Sequence, residues 1–249
     1  MKFEELLSLP SDPPWFDLVT LAQMTGENKG ALTHQLSRWS REGKVLPLRR
    51  GVYALADAYR KQRVQPAALA NALYTPSYLS GLWALGFYGL IPEMVISFTS
   101  VSTRVTRQFE NAFGNFHYSN MKQSAFFGYE ARMIDGVSVL IAAPEKALLD
   151  HWHLTPGVWT SERLDAMRYQ NYELVDKVKL RTAAARFESP DSSSRRRHSS
   201  HCVKLKWKGL SHYERRSLAV GFKYCRSSAK AESIARVHSS IRFAFVARK

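Results

Sequence analysis

The sequence predicts an α+β protein with an N-terminal winged helix-turn-helix, a C-terminal mixed α/β domain and an irregular basic tail. Three observations predict this. Two apolar patterns of helical period, residues 16–24 and 29–42, flank the turn Thr25-Gly26-Glu27-Asn28 and lead into two short β-prone runs, 45–49 and 52–55, that flank Arg50-Gly51. From residue 94 to residue 142, β-branched and aromatic runs alternate with turn signals, of which Asp135-Gly136 is the strongest. Beyond residue 190 the composition changes abruptly. The expected boundaries are 1–58, 59–188 and 189–249.

Taken in order, residues 1–9 suit a short opening helix stopped by Pro10 and Pro13-Pro14. The helix over 16–24 ends at Gly26, and the helix over 29–42 ends at Gly43, the residue type favoured just past a helix end. In this second helix Leu32, Leu36 and Trp39 fall at i, i+4 and i+7 and share one face. The opposite face carries Gly30, Thr33, His34, Ser37, Arg38 and Arg41, with Asn28 and Lys29 at the start. Gly30 permits close backbone approach, Thr33, His34 and Ser37 reach base edges, and the cations suit guanine or phosphate. A solvated face on an ordinary helix has the same composition, and the hairpin tilts the balance. Arg49 and Arg50 sit at its tip beside Gly51, where a phosphate contact is geometrically easy. The chemistry expected of this module is DNA binding.

Residues 57–74 read as a linking helix, with Pro66 tolerated at a new first turn. The apolar and aromatic stretch 74–92 reads as a buried helix capped by Ser77 or Ser80 and ended by Gly86 or Gly89. Strands are expected over 94–101, 115–119, 126–134 and 137–142. Ala143-Pro144-Glu145-Lys146-Ala147-Leu148-Leu149-Asp150 opens a helix with Pro at its first position and Lys146 four residues before Asp150. Residues 161–186 form a last helical region. Arg104 and Arg107 are the charges of interest in this part, as a solvated loop or as a surface facing a partner.

The wing Leu48-Arg49-Arg50-Gly51-Val52-Tyr53-Ala54-Leu55, the Tyr78-Leu79-Ser80 stretch running into Ala84-Leu85 and Gly89-Leu90, and the 143–150 motif occur in this order. Together they resemble the AbiEi-type antitoxins and transcriptional regulators of type IV, abortive-infection toxin–antitoxin pairs, over about residues 5–188. The resemblance implies a cytoplasmic bacterial autorepressor. Its N-terminal domain would bind inverted repeats in operator DNA, and its C-terminal domain would counter a nucleotidyltransferase-like toxin without a tight complex. It also implies an antitoxin surface, for which Arg104 and Arg107 are the candidates.

Other classes fit less of the chain. One is a winged-helix regulator with no toxin partner. Another is a metal-dependent nuclease built on Asp135, Glu145 and Lys146, but Asp135 fits a hairpin turn, and Glu145 and Lys146 are adjacent where that chemistry spaces its acid and lysine. His151 and His153 stand two apart on a helix and do not face each other, so they suit surface or capping roles. No phosphate-cradling loop, nucleophile elbow or metal-ligand spacing is present, and no cofactor or metal is expected. No apolar run approaches the roughly 20 residues that span a bilayer, and Met1-Lys2-Phe3-Glu4-Glu5 is unlike a signal peptide, so the expected compartment is the cytoplasm.

The net charge of +15 is unevenly spread: residues 1–190 hold 21 Lys+Arg against 18 Asp+Glu, and residues 191–249 hold 15 against 3. Basicity is therefore a property of the tail, which also carries both cysteines, 12 serines and no proline. Such a tail could grip DNA. The favoured expectation is a one-nucleotide frameshift near Pro190. With bases shifted by one, the codons of 192–197 can be read as a Leu- and Ala-rich run, those of 203–209 as Glu-Val-Glu-Met-Glu-Gly, and those of 211–214 as Ser, Leu and a stop.

Overall fold

The computed structural model describes residues 1–9, 12–157 and 159–188, so the basic tail lies outside the described residues. The chain opens with helix α1 (Phe3–Ser8), strand β1 (Phe16–Asp17), helix α2 (Leu18–Thr25), helix α3 (Lys29–Arg41) and the strands β2 (Val45–Arg49) and β3 (Val52–Leu55). Here the single helix expected from residue 16 divides. Phe16 and Asp17 pair with Tyr53 and Val52 of β3, giving a three-stranded sheet in the order β1-β3-β2. Asp17 ends the strand and starts the helix: its Oδ1 accepts the Val19 and Thr20 N–H groups, both at 2.9 Å, and its Oδ2 accepts the Thr20 hydroxyl. One carboxylate thus satisfies two of the amides that a helix start leaves unpaired.

Gly26 closes α2 in the left-handed region, at φ +70°, and donates to Ala22. The Asn28 side chain then caps α3 by accepting the Gly30 N–H at 2.7 Å. As the spacing predicts, Leu32 and Leu36 are fully buried and Trp39 nearly so, packed with Leu6, Leu21, Ala22, Val45 and Leu55. Burying each such side chain contributes about 2 kcal/mol. Phe3 of α1 meets Trp39 edge-on at 5.3 Å, so the opening helix belongs to this core.

The second part contains α4 (Pro66–Leu73), β4 (Ser77–Leu79), α5 (Gly81–Phe87), β5 (Phe98–Ser102), β6 (Arg107–Asn111), β7 (Gly114–Asn120), β8 (Tyr129–Ile134), β9 (Val137–Ala142), α6 (Pro144–Leu154) and α8 (Lys177–Glu188). Helix α7 (Ser161–Ala166) belongs to a separate compact unit. A mixed sheet in the order β6-β7-β5-β4-β9-β8 forms the centre, with β4–β9 and β5–β7 parallel and the other pairs antiparallel. The Asp135-Gly136 turn is as expected, with φ +48° and +80°, and β8 and β9 flank it in register from Ile134↔Val137 to Tyr129↔Ala142.

Three expectations are corrected. The linking helix over 57–74 is a 3-10 turn (Asp57–Tyr59), a stretch with neither helix nor strand, and then α4, which runs from Pro66 to Leu73. The helix over 74–92 is interrupted by β4, the strand beside β5 and β9. All three β4 residues are buried, so the alternation that betrays a half-exposed strand is missing. Strand β6 was not expected at all, because in Arg107-Gln108-Phe109-Glu110-Asn111 the one apolar residue is Phe109, which packs against Tyr74 and Tyr118. Where β4 ends, the Asn71 side chain of α4 takes over as a strand: its Oδ1 accepts the Leu140 N–H at 2.7 Å and its Nδ2 donates to the Leu140 carbonyl at 3.2 Å.

Among the described residues, a buried ion pair joins Lys146 and Asp150 inside the second part. Asp150 is fully buried and accepts hydrogen bonds from the Ser80 hydroxyl at 2.7 Å, the Tyr78 hydroxyl at 3.0 Å and the Lys146 ammonium. The pairing of Lys146 with Asp150 one turn on is as expected, but it lies inside the fold. The ammonium is ringed by Phe187 at 4.5 Å, Phe127 at 5.1 Å and Tyr78 at 5.5 Å. Gly128, at φ +72°, passes so close that a Cβ there would lie 3.3 Å from the Lys146 side chain. Burial pushes the Asp150 carboxyl up and the Lys146 ammonium down, and each charge opposes the other's shift. Removing one partner strands the other in an apolar interior. Lys146→Met and Asp150→Asn should each cost about 3–5 kcal/mol in urea denaturation. The Lys146→Met/Asp150→Asn variant should cost far less than the two single losses summed, and additive losses would count against a coupled pair.

Candidate nucleic-acid interface

The exposed side of α3 follows from its buried stripe. With Leu32, Leu36 and Trp39 turned inward, Lys29, Gly30, Thr33, His34, Ser37, Arg38 and Arg41 are all exposed, as are Asn28 before them and Arg49 and Arg50 on the hairpin. Several of these groups already have local work. Asn28 is spent on the cap, the Thr33 hydroxyl donates to the Lys29 carbonyl at 2.7 Å, and Arg41 Nε donates to the Ser37 carbonyl at 3.4 Å. Arg38 approaches Glu42 at 3.7 Å, an exposed pair of little energetic weight. Lys29, His34 and Arg50 make no side-chain hydrogen bond or ion pair among the described residues.

The hairpin is shaped by a bulge. Val45, Leu46 and Pro47 pair with Leu55, Ala54 and Tyr53, but Arg49 pairs with Val52, so Leu48 is the extra residue. Its side chain is 2 % exposed, and its carbonyl accepts a hydrogen bond from Asn111 Nδ2 at 3.0 Å. The Asn111 side chain is itself fixed, because its Oδ1 accepts the Phe113 N–H at 2.9 Å. Asn111, at the end of β6, therefore holds the residue just before Arg49. Sequence reasoning missed it. The only local signal is an Asn two residues before Phe113-Gly114, which suits a side-chain-capped turn. Gly51, at φ +79°, completes the tip.

Thr33 of α3 and Arg49, Arg50 and Gly51 of the hairpin line a common concavity of about 840 Å³, most of whose wall comes from the segment before and within α2, including Asp12, Trp15 and Asp17. Ser37, Arg38 and Arg41 lie further along α3 and do not line it. Burial pushes the Asp17 carboxyl up, but the bonds from Thr20 and Val19 outweigh it and hold the group below the usual carboxylate range. Outside this module, the Arg104 guanidinium stacks on the Tyr74 ring at 4.6 Å and donates to the Thr75 carbonyl at 3.3 Å, so it is tied to its own fold. Arg107 is exposed on β6.

The remaining candidate groups are engaged elsewhere. Asp135 forms the β8–β9 turn and accepts from Gln65, and Glu145 Oε1 accepts the Asp176 N–H at 2.7 Å. His151, expected as a surface or capping group, is buried in the last turn of α6, while His153 is exposed. Among the described residues, no cluster of three or more His, Cys, Asp or Glu could hold a metal ion, and no helix is long and apolar enough to cross a membrane. No protein-family model matches the chain, and no curated protein sequence matches it.

The Asp17 cap has a pH signature. A carboxyl lowered by folding stabilises the fold fully above its unfolded value near 4, and that stability is lost as pH falls through the folded value. Asp17→Ala should cost about 1 kcal/mol at pH 7 by urea denaturation, and the gap from wild type should shrink below about pH 4.

Proposed function

We propose that this chain is a winged helix-turn-helix regulator of double-stranded DNA that also serves as the antitoxin of an abortive-infection operon. Helix α3 is the reading helix and the β2–β3 hairpin is the wing. The observation that carries the DNA reading is the concave surface shared by Thr33 of α3 and Arg49 and Arg50 of the hairpin. An α-helix fits the major groove, where Thr, Ser and Arg side chains meet base edges, while a basic tip beside it meets phosphate. Lys29, Arg38 and Arg41 extend the cationic side along α3. The antitoxin part rests on the ordered motifs around residues 48–55, 78–90 and 143–150. On that resemblance the DNA target is an operator of inverted repeats, the functional partner is a nucleotidyltransferase-like toxin met without a stable complex, and the compartment is the cytoplasm.

A gel-shift titration with operator and scrambled DNA tests the first part. Arg49→Ala/Arg50→Ala should weaken binding to both DNAs and flatten the salt dependence, because fewer counterions are released. Thr33→Ala, Ser37→Ala or Arg38→Ala should instead narrow the gap between operator and scrambled DNA, by about 1–3 kcal/mol per lost base contact. Unchanged binding in the double arginine variant would remove the wing from the interface.

Growth of cells expressing the neighbouring toxin gene tests the second part. The Arg49→Ala/Arg50→Ala protein, expressed from an unrelated promoter, should still protect while no longer repressing the operon. Loss of protection together with repression would show that neutralisation needs DNA binding.

A further inference from the structure

Strand β8 ends the six-stranded sheet, and no strand among the described residues pairs with its outer edge. The opposite end differs, because β6 is engaged by the first module through the Asn111–Leu48 bond. An open edge offers unpaired backbone groups to any strand that fits, and proteins usually blunt it with proline, lysine or an inward charge. The β8 sequence Tyr129-Glu130-Ala131-Arg132-Met133-Ile134 contains no proline, and its two charges, Glu130 and Arg132, are of opposite sign, so they repel a lone like charge but not a second copy of the same strand.

Which groups face outward follows from the turn. Ile134 and Val137 flank a two-residue loop and so form a hydrogen-bonded pair, and Arg132↔Val139 and Glu130↔Ile141 continue that set. Tyr129, Ala131 and Met133 therefore point their N–H and C=O groups away from β9. The partner strand agrees: Leu140, opposite Ala131, turns both of its backbone groups away from β8, to the Asn71 side chain.

We propose that β8 is the self-association edge of this protein and pairs antiparallel with β8 of a second copy, about a two-fold axis at Ala131. In that register Ala131 meets its own equivalent, and Tyr129 meets Met133, as pairs that exchange both backbone hydrogen bonds. Glu130 of each copy then lies opposite Arg132 of the other in the closer, non-hydrogen-bonded pairing. Within one chain these two side chains already form an ion pair at 2.6 Å, and both are about half exposed, 49 % and 47 %. Two copies would complete an alternating square of four charges, and each opposite-sign cross-strand pair is favourable where like charges would repel. The apolar part is also ready to be covered: Met133 is 69 % and Tyr129 37 % exposed. The charge pattern changes sign when it is reversed about Ala131, so each charge meets its opposite across the axis, as a favourable closed two-fold interface requires. The inference is independent of the DNA reading, since none of these residues belongs to α3 or the hairpin.

Light scattering and sedimentation equilibrium on the full-length protein test it. The wild type should be a dimer. Glu130→Arg places arginine opposite Arg132 and should weaken dimerisation about tenfold or more. The exchange Glu130→Arg/Arg132→Glu restores opposite charges across the axis and should restore the dimer. Ala131→Pro removes an outward N–H that β9 does not use, so it should give a monomer with an unchanged far-ultraviolet spectrum. A wild type that remains monomeric to about 100 µM would overturn the proposal. So would a dimer indifferent to Ala131→Pro, or a charge exchange that fails to restore association after Glu130→Arg abolishes it.

Discussion

The second module depends on keeping one carboxylate satisfied away from water. Asp150 comes from α6, and its partners come from the central strand β4 (Tyr78), the residue joining β4 to α5 (Ser80) and α6 itself (Lys146). An isolated buried charge is very costly, so these elements must arrive together or not at all. The aromatic rings around Lys146 then draw in two further segments, Phe127 just before β8 and Phe187 on α8. Glu145, the neighbour of Lys146, holds the start of α8 through the Asp176 N–H, while Asp176 caps that helix at Val178 and Lys179. A single turn of α6 thus fixes the sheet centre and the last described helix.

A second dependence links the two modules. The bulge at Leu48 leaves a carbonyl outside the β2–β3 ladder, and the Asn111 side chain takes it up. Nearby, Arg60 donates to the Leu55 carbonyl at 3.2 Å and lays its guanidinium over Phe113 at 5.3 Å. The arginine-bearing tip is therefore set by contacts more than fifty residues away in sequence as well as by its own turn. In the proposed reading, the second module positions the wing even where it touches no DNA.

Charge supports the reading only locally. Most of the excess of +15 lies beyond residue 190, and residues 1–190 are close to balanced, with 21 Lys+Arg against 18 Asp+Glu. What matters is that the cations of α3 and the hairpin face solvent while Asp17, one of two carboxylates lining the same concavity with Asp12, is occupied by a helix cap. A small module can offer a cationic surface without a strongly basic fold.

Local signals settled the parts of this protein that local chemistry controls. The burial of Leu32, Leu36 and Trp39, the limits of β2 and β3, the Asp135-Gly136 turn and the start of α6 at Pro144 all follow from side-chain period, turn propensity or a missing N–H, and each acts within a few residues. The exposed α3 face was legible for the same reason, since it is what remains once the buried stripe is known. Tertiary structure decided the rest. Strand β4 was hidden because burial on both faces erases its alternation, and β6 because Phe109 is its one apolar residue and shows no alternation. The spacing of Lys146 and Asp150 is the same in a surface pair and a buried one. Only the placement of Ser80 and Tyr78 around the carboxylate makes it the interior of the fold, because solvation depends on neighbours that no local pattern contains.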